Sequence, residues 1–293
     1  MNTEVIMRIP RHLLLGAKIC VHNRRFPTAV ISAYRRAFRR SFRQDERCIE
    51  LEITTICNLG CGQCDRSCSA EQASAKEWMS VDQVEKFISQ SVRERRRWRQ
   101  IKILGGEPTL HAELDRILSL LRRYRDEYSK RTQITVISNG FGKDVDRILA
   151  SIPRDITVSN TSKTSRKQGG FDTYNVAPYD LEEFDNKDFR TGCAVPEVCG
   201  MALTRYGFYT CGAGASVDRV FGFGLGIHDL ADATSARLKE QRKVLCSYCG
   251  HFKSYGIYSN VSYSEKPEWR SVSPSWVKAY QAFKKQRPLL KLF

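Results

Sequence analysis

Strand-like and helix-like stretches alternate from residue 48 to about residue 180, and this alternation narrows the fold more than any other feature. Cys48–Thr54 (CIELEIT) reads as a strand. A helix runs from near Ser80 to about Trp98 behind a Ser80/Gln83 capping box, and Ile101–Leu104 is a short apolar run of the buried-strand type. A helix over Leu114–Tyr128, a strand over Ile134–Ile137, a helix near Lys143–Ala150 and a strand over Ile156–Ser159 continue the pattern. A further strand is expected near Tyr174–Pro178. Such alternation builds parallel strands joined by helical crossovers, an open or closed α/β barrel whose reactive groups gather at the carboxyl ends of the strands. Three motifs stand at those ends: the loop TICNLGCGQCDRSC, the run GGEPTLH and the triplet Ser138-Asn139-Gly140.

Cys57, Cys61 and Cys64 place three thiols within eight residues of one loop. A closed zinc site needs four ligands, and so does a fully ligated [4Fe–4S] cluster. Three thiolates leave one iron open to a substrate or cofactor; recruiting Cys68 as a fourth would close a zinc or ferredoxin-like site instead.

The CX3CX2C spacing after the first strand resembles the signature of the radical S-adenosylmethionine (radical SAM) superfamily, and Gly105-Gly106-Glu107-Pro108 after the second strand resembles that family's GGEP motif. The resemblance covers roughly residues 46–180. It implies a partial (β/α)6 TIM-like barrel in which Cys57, Cys61 and Cys64 hold a SAM-cleaving [4Fe–4S] cluster. Gly105 and Gly106 would admit close backbone approach, Glu107 would receive the methionine ammonium of SAM, and Ser138 and Asn139 would meet its ribose. Ser159, with Asn160, is a further expected SAM contact. Electron transfer to the sulfonium would then yield a 5′-deoxyadenosyl radical that takes a hydrogen atom from substrate. The reductant implied is flavodoxin or ferredoxin. The family's aromatic residue before the third cysteine is replaced here by Gln63, so adenine stacking at that position is not expected.

Beyond residue 190 the pattern changes to a Gly-rich stretch carrying Cys193, Cys199 and Cys211, then a helix over roughly Ala231–Lys243, then Cys246 and Cys249. A terminal CxxC commonly binds one metal, so a structural zinc stands beside packed thiols as a direct reading. The pattern Cys193…Gly207-x3-Cys211…Cys246-x2-Cys249 resembles the twitch module, a shortened SPASM domain, which implies one auxiliary [4Fe–4S] cluster. Cys199 is then left over, as a packed thiol or as a hydrogen-atom donor of the kind radical SAM epimerases use.

Charge is concentrated at the ends of this chain of net charge +16. Residues 1–44 hold ten basic residues and one acid, Glu4, and residues 265–293 hold seven basic and two acidic residues. From Pro27 onward, Val30, Ile31, Tyr34, Ala37, Phe38 and Phe42 recur at helical spacing between arginines, predicting a basic amphipathic helix that packs on the domain or lies on a membrane surface. The expected organisation is a basic helical extension over 1–45, a radical SAM core over 46–190, a twitch-like module over 191–258 and a packing helix over 259–293 built on Trp276, Tyr280 and Phe283, with Trp269 nearby. No secretory signal is evident, and clustered cysteines in such a chain read as cytoplasmic metal ligands.

The resulting expectation is a radical SAM oxidoreductase that dehydrogenates a small molecule, with the auxiliary cluster accepting an electron. The positive charge favours an anionic substrate over a polycationic aminocyclitol. Peptide crosslinking or epimerisation is the alternative within the same chemistry. A basic Fe–S or zinc protein that binds RNA through its ends leaves GGEP and Ser138-Asn139 unexplained, so a nucleic-acid partner is not favoured. For substrate chemistry, His111, Tyr174 and Arg219 are candidates on exposed loops.

Overall fold

A computed structural model describes residues 25–38, 40–68, 76–166, 172–258 and 271–293. Trp269 and the greater part of the N-terminal extension lie outside them. Helix α1 (Arg25–Ala37) leads to β1 (Cys48–Thr54), and the chain then alternates through α2 (Val81–Arg93), β2 (Gln100–Gly105), α3 (Leu114–Glu127), β3 (Gln133–Ser138), α4 (Lys143–Ser151) and β4 (Thr157–Asn160). These β/α steps give parallel pairs, as short helical crossovers require. The second half adds α5 (Val195–Val198), β5 (Met201–Thr204), β6 (Gly207–Tyr209), α6 (Gly212–Phe221), α7 (Ser235–Tyr248), α8 (Gly250–Tyr255) and α9 (Pro274–Lys285).

The sheet order is β4-β3-β2-β1-β5-β6, with β5 parallel to β1 and β6 antiparallel to β5. The sheet is thus α/β and mainly parallel, but its last two strands come from beyond residue 200 rather than from further β/α repeats. One face is apolar: Ile49, Leu51 and Ile53 of β1, Ile101 and Ile103 of β2, and Ile134 and Val136 of β3 pack against Val84, Phe87, Ile117 and Leu121 of α2 and α3. The alternate positions point the other way, and there β1 and β2 bring Glu50 opposite Lys102, both buried.

Four expectations change here. Tyr174–Pro178 is not a strand, because its backbone groups are taken by loops: Gln63 Oε1 accepts from the Tyr174 and Asn175 amides, and the Tyr174 carbonyl accepts from Gly250 N. The helix behind the Ser80/Gln83 capping box, which is formed, stops at Arg93 rather than reaching Trp98; Arg95 is left-handed at φ 52°, and Trp98 is buried with Nε1 on Ser91 Oγ. The helix expected over Ala231–Lys243 runs from Ser235 to Tyr248, so Cys246 lies in its last turn. Helix α1 forms, but Val30, Tyr34 and Phe38 face outward rather than inward.

Trp276, Tyr280 and Phe283 of α9 are buried in a second apolar cluster with Cys193, Cys199, Cys211 and Cys249, and Trp276 Nε1 donates to the Tyr248 carbonyl at 2.7 Å.

Candidate metal and cofactor site

The end of β2 lies directly on the start of the three-cysteine loop. Gly106 N donates to Thr54 O at 2.7 Å and Glu107 N to Ile56 O at 2.8 Å. A Cβ on Gly105 would stand 2.1 Å from Thr54 O, and one on Gly106 would stand 2.2 Å from Ile56 O and 2.9 Å from Cys57 Cβ. Two glycines are therefore what lets GGEP seat against Cys57.

Glu107 caps the short turn Pro108–Leu110 and is fully buried. Its Oε1 accepts from Thr109 N (3.2 Å), Thr109 Oγ1 (2.9 Å) and Ser138 Oγ (2.8 Å), and its Oε2 accepts from Asn139 N (2.7 Å). Burial raises its pKa, and those four donors oppose the rise. Asn139 in turn reaches Asn58 Oδ1 at 2.8 Å and Cys57 Sγ at 3.8 Å through Nδ2. The three motifs are thereby stitched together at the carboxyl ends of β1, β2 and β3. Ser138 spends its hydroxyl on Glu107 and Gly140 N. Ser159 Oγ, at the end of β4, is buried without a hydrogen-bond partner, an orphaned hydroxyl that a polar ligand would satisfy.

Burial pushes the Cys57 thiol up to about 12, with Cys64, Cys61 and Glu107 adding to the rise. Cys64 is instead lowered, foremost by a hydrogen bond from Cys68, whose Sγ also bonds the Arg66 carbonyl at 3.2 Å. Cys68 therefore stands beside Cys64 rather than apart from the loop.

The loop between Cys61 and Cys68 is held by residues from far along the chain. Gln63 is buried, accepting from the Tyr174 and Asn175 amides at 2.8 and 2.9 Å and donating to Ser271 O at 2.8 Å. Asn175 Nδ2 donates to Gly62 O, Tyr280 pairs with both Ser67 and Asn175, and Arg219 donates to Arg66 O and Ser67 O. Beneath the loop, Arg66 meets Glu50 at 2.5 Å and Glu52 at 3.8 Å, all three buried. Its Nη1 lies where a Cβ on Gly212 would come within 1.3 Å, so this guanidinium packs against the residue after Cys211.

Cys193, Cys211, Cys246 and Cys249 are all buried and lie within electrostatic range of one another. Burial raises Cys246 to about 12 and Cys211 to about 11, and it raises Cys193 and Cys249 as well, with neighbouring thiols adding to the rise in all but Cys211. Such thiols ionise only when a cation compensates them, and soft thiolates suit iron–sulfur clusters or zinc. Cys211 caps α6 and accepts from Gly214 N at 3.3 Å. Cys199 ends α5, and its carbonyl accepts from Lys102 Nζ at 3.3 Å. Among the described residues no three His, Cys, Asp or Glu side chains converge closely enough to close on a single ion. Both thiol groups suit a cluster by donor type, soft sulfur on buried side chains.

His111, Tyr174 and Arg219 are buried, not exposed. His111 Nε2 lies 2.9 Å from Met79 O, the Tyr174 hydroxyl donates to Ala213 O at 3.0 Å, and Arg219 sits on α6 rather than on a loop. Sequence reasoning passed over Arg66 and its two glutamates. The signal was present in CIELEIT, where two acids alternate along a strand and so share one face.

Residues 51–159 match the model of the Radical SAM superfamily, a span holding the three-cysteine loop, Gly105-Gly106-Glu107, Ser138-Asn139 and Ser159. No curated protein matches the chain at a significant level. The crystal structure of BtrN in complex with AdoMet and 2-DOIA is similar with a TM-score of 0.42 and 15% identity, covering 79% of this chain and 100% of that one. Streptococcus suis SuiB bound to S-adenosylmethionine is similar with a TM-score of 0.27 and 20% identity, over 43% of this chain and 27% of that one. SuiB bound to its precursor peptide SuiA gives 0.28 and 20%, over 54% and 30%.

Proposed function

We propose that this chain is a radical SAM enzyme that oxidises a small anionic molecule by hydrogen abstraction, with a second [4Fe–4S] cluster in the C-terminal cysteine group as electron acceptor. The observation that carries this reading is the seam joining Cys57, Glu107 and Asn139 at the carboxyl ends of three parallel strands. Cys57, Cys61 and Cys64 would hold the SAM cluster, which, with an electron from a flavodoxin or ferredoxin, would supply reductive SAM cleavage and hydrogen-atom abstraction.

In this reading Cys57, Cys61 and Cys64 would supply three thiolates to the cluster, and no fourth protein ligand is assigned to it. Gly105 and Gly106 keep the backbone low enough for SAM to approach. Glu107 keeps one oxygen, Oε2, with a single donor, and that oxygen is available to orient a cationic ammonium. Asn139 fixes the Cys57–Asn58 turn and, with Ser138 and Ser159, lines the side where the ribose would lie. Cys193, Cys211, Cys246 and Cys249 hold the second cluster, and Arg66 packs against the residue after Cys211. Cys199, outside both ligand sets, is retained as a candidate hydrogen-atom donor.

Anaerobically reconstituted protein is expected to hold about eight irons, two four-iron clusters. With dithionite and SAM it is expected to release 5′-deoxyadenosine, and Cys57→Ala, Cys61→Ala or Cys64→Ala to abolish that release. Continued release from the triple variant would sink the reading. Zinc in place of the second four irons would remove the auxiliary cluster from it.

A further inference from the structure

Helix α1 is seated on the protein by its polar side. Thr28, Ser32 and Arg35 are at most 8% exposed; Ser32 Oγ donates to the Tyr255 carbonyl at 2.7 Å, and Arg35 pairs with Glu197 at 2.6 Å. Ile31 packs inward against the second apolar cluster, while the rest of the apolar side faces out. Val30, Tyr34 and Phe38, one turn apart, are 44%, 40% and 49% exposed, and Ala33 and Ala37 between them are also exposed. The Tyr34 and Phe38 rings lie 4.9 Å apart, forming one continuous ridge.

A surface helix of a water-soluble domain ordinarily turns its apolar stripe inward. Here the stripe is left outward while buried hydrogen bonds and an ion pair secure the polar face, so the orientation is fixed by specific contacts. The ridge also carries a charge of one sign. Residues 25–37 contain no acid, Arg40 and Arg43 are exposed, and the Arg40 guanidinium lies 5.9 Å from the Phe38 ring. Ten basic residues against one acid over residues 1–44 extend that charge.

We propose that this ridge rests on an anionic membrane surface. Tyr34 and Phe38 would enter the headgroup region while the arginines meet lipid phosphates and carboxylates. Aromatic side chains beside basic ones suit that boundary, where neither alone gives firm attachment. Each basic residue near such a surface is worth about a fivefold change in partitioning, and salt weakens the attraction. Among the described residues no helix is long and apolar enough to cross a membrane. The proposal does not depend on the reaction assigned to the cysteines.

Flotation of the full-length reconstituted protein tests it. Wild type is expected to float with phosphatidylcholine vesicles containing about 30% phosphatidylserine, to remain below with phosphatidylcholine alone, and to be released by high salt. Tyr34→Ser/Phe38→Ser and, separately, Arg40→Glu/Arg43→Glu are expected to lower vesicle affinity by about tenfold or more, with unchanged melting and unchanged 5′-deoxyadenosine release. Wild type that stays below with anionic vesicles, or variants that float as wild type does, would overturn the proposal. So would a dimer in solution that the serine substitutions dissolve, because a second copy would then be the occupant of the ridge.

Discussion

Gln63 Oε1 accepts the backbone amide of Tyr174 at 2.8 Å, tying the three-cysteine loop to a segment 111 residues away. The same oxygen takes Asn175 N, and the other end of the carboxamide reaches Ser271 O. Gln63 is thus a strut inside the protein, which explains physically why an aromatic ring is not found at this place. Gln63→Ala is expected to lose three hydrogen bonds and destabilise the apoprotein by about 2–3 kcal/mol, at about 1 kcal/mol each. Gln63→Phe is expected to be worse, because it leaves two buried amides unpaired and adds volume. Urea denaturation of the apo forms checks both. A Phe variant as stable as wild type would show that the strut carries no weight.

Arg66 gives a larger expected effect. It compensates Glu50 and Glu52 where both are buried, and removing one partner of a buried pair costs about 3–5 kcal/mol. Arg66→Met is expected to approach that loss. The double variant Arg66→Met/Glu50→Gln is expected to recover a large part, since it no longer strands the Glu50 charge. Denaturation of the two variants side by side checks the coupling, and equal losses would refute it. The contact with Gly212 adds a second readout, because Gly212→Ala puts a methyl into the guanidinium and is expected to destabilise although alanine suits a helix.

What the sequence disclosed, and what it hid, divides along contact range. Cys48–Thr54 was legible because a β-rich run buried on both sides still reads as a strand without help from partners. The GGEP seat was legible because two glycines before a glutamate need a reason. The structure supplies the reason in the Thr54 and Ile56 carbonyls. Tyr174–Pro178 misled because its β-like composition says nothing about Gln63, which takes its amides. The orientation of α1 misled for a similar reason: apolar spacing identifies a face but not which face is docked, and Ser32 and Arg35 decided that through Tyr255 and Glu197. Strands β5 and β6 are too short to carry a period of their own.

Cys68 poses a question that iron analysis answers. Its thiol bonds Cys64 and lowers that neighbour's pKa, which favours Cys64 as the thiolate. Cys68→Ala is expected to retain about eight irons, and Cys64→Ala to retain about four, the second group alone. If Cys68→Ala also falls to about four irons, the loop holds a closed four-cysteine cluster and leaves no place for SAM.

Asp218 sets a pH dependence whose sign follows from its burial. Burial raises its pKa; Tyr209 Oη at 2.7 Å and Leu225 N at 3.0 Å satisfy Oδ2, while Oδ1 has no hydrogen-bond partner. A carboxyl whose folded pKa is raised favours folding fully below its unfolded value, near 3.8, and that contribution is lost as pH rises through the folded value. Across that window each unmatched proton steepens the fall of stability by about 1.4 kcal/mol per pH unit. Asp218→Asn removes the titration and places a donor or acceptor at the unsatisfied position. The variant apoprotein is therefore expected to lose less stability than wild type between acid pH and neutrality, as read by urea denaturation at several pH values. Parallel curves for the two proteins would mean that Asp218 stays ionised in the fold, held by Tyr209 and the Leu225 amide, and that its burial carries no proton linkage.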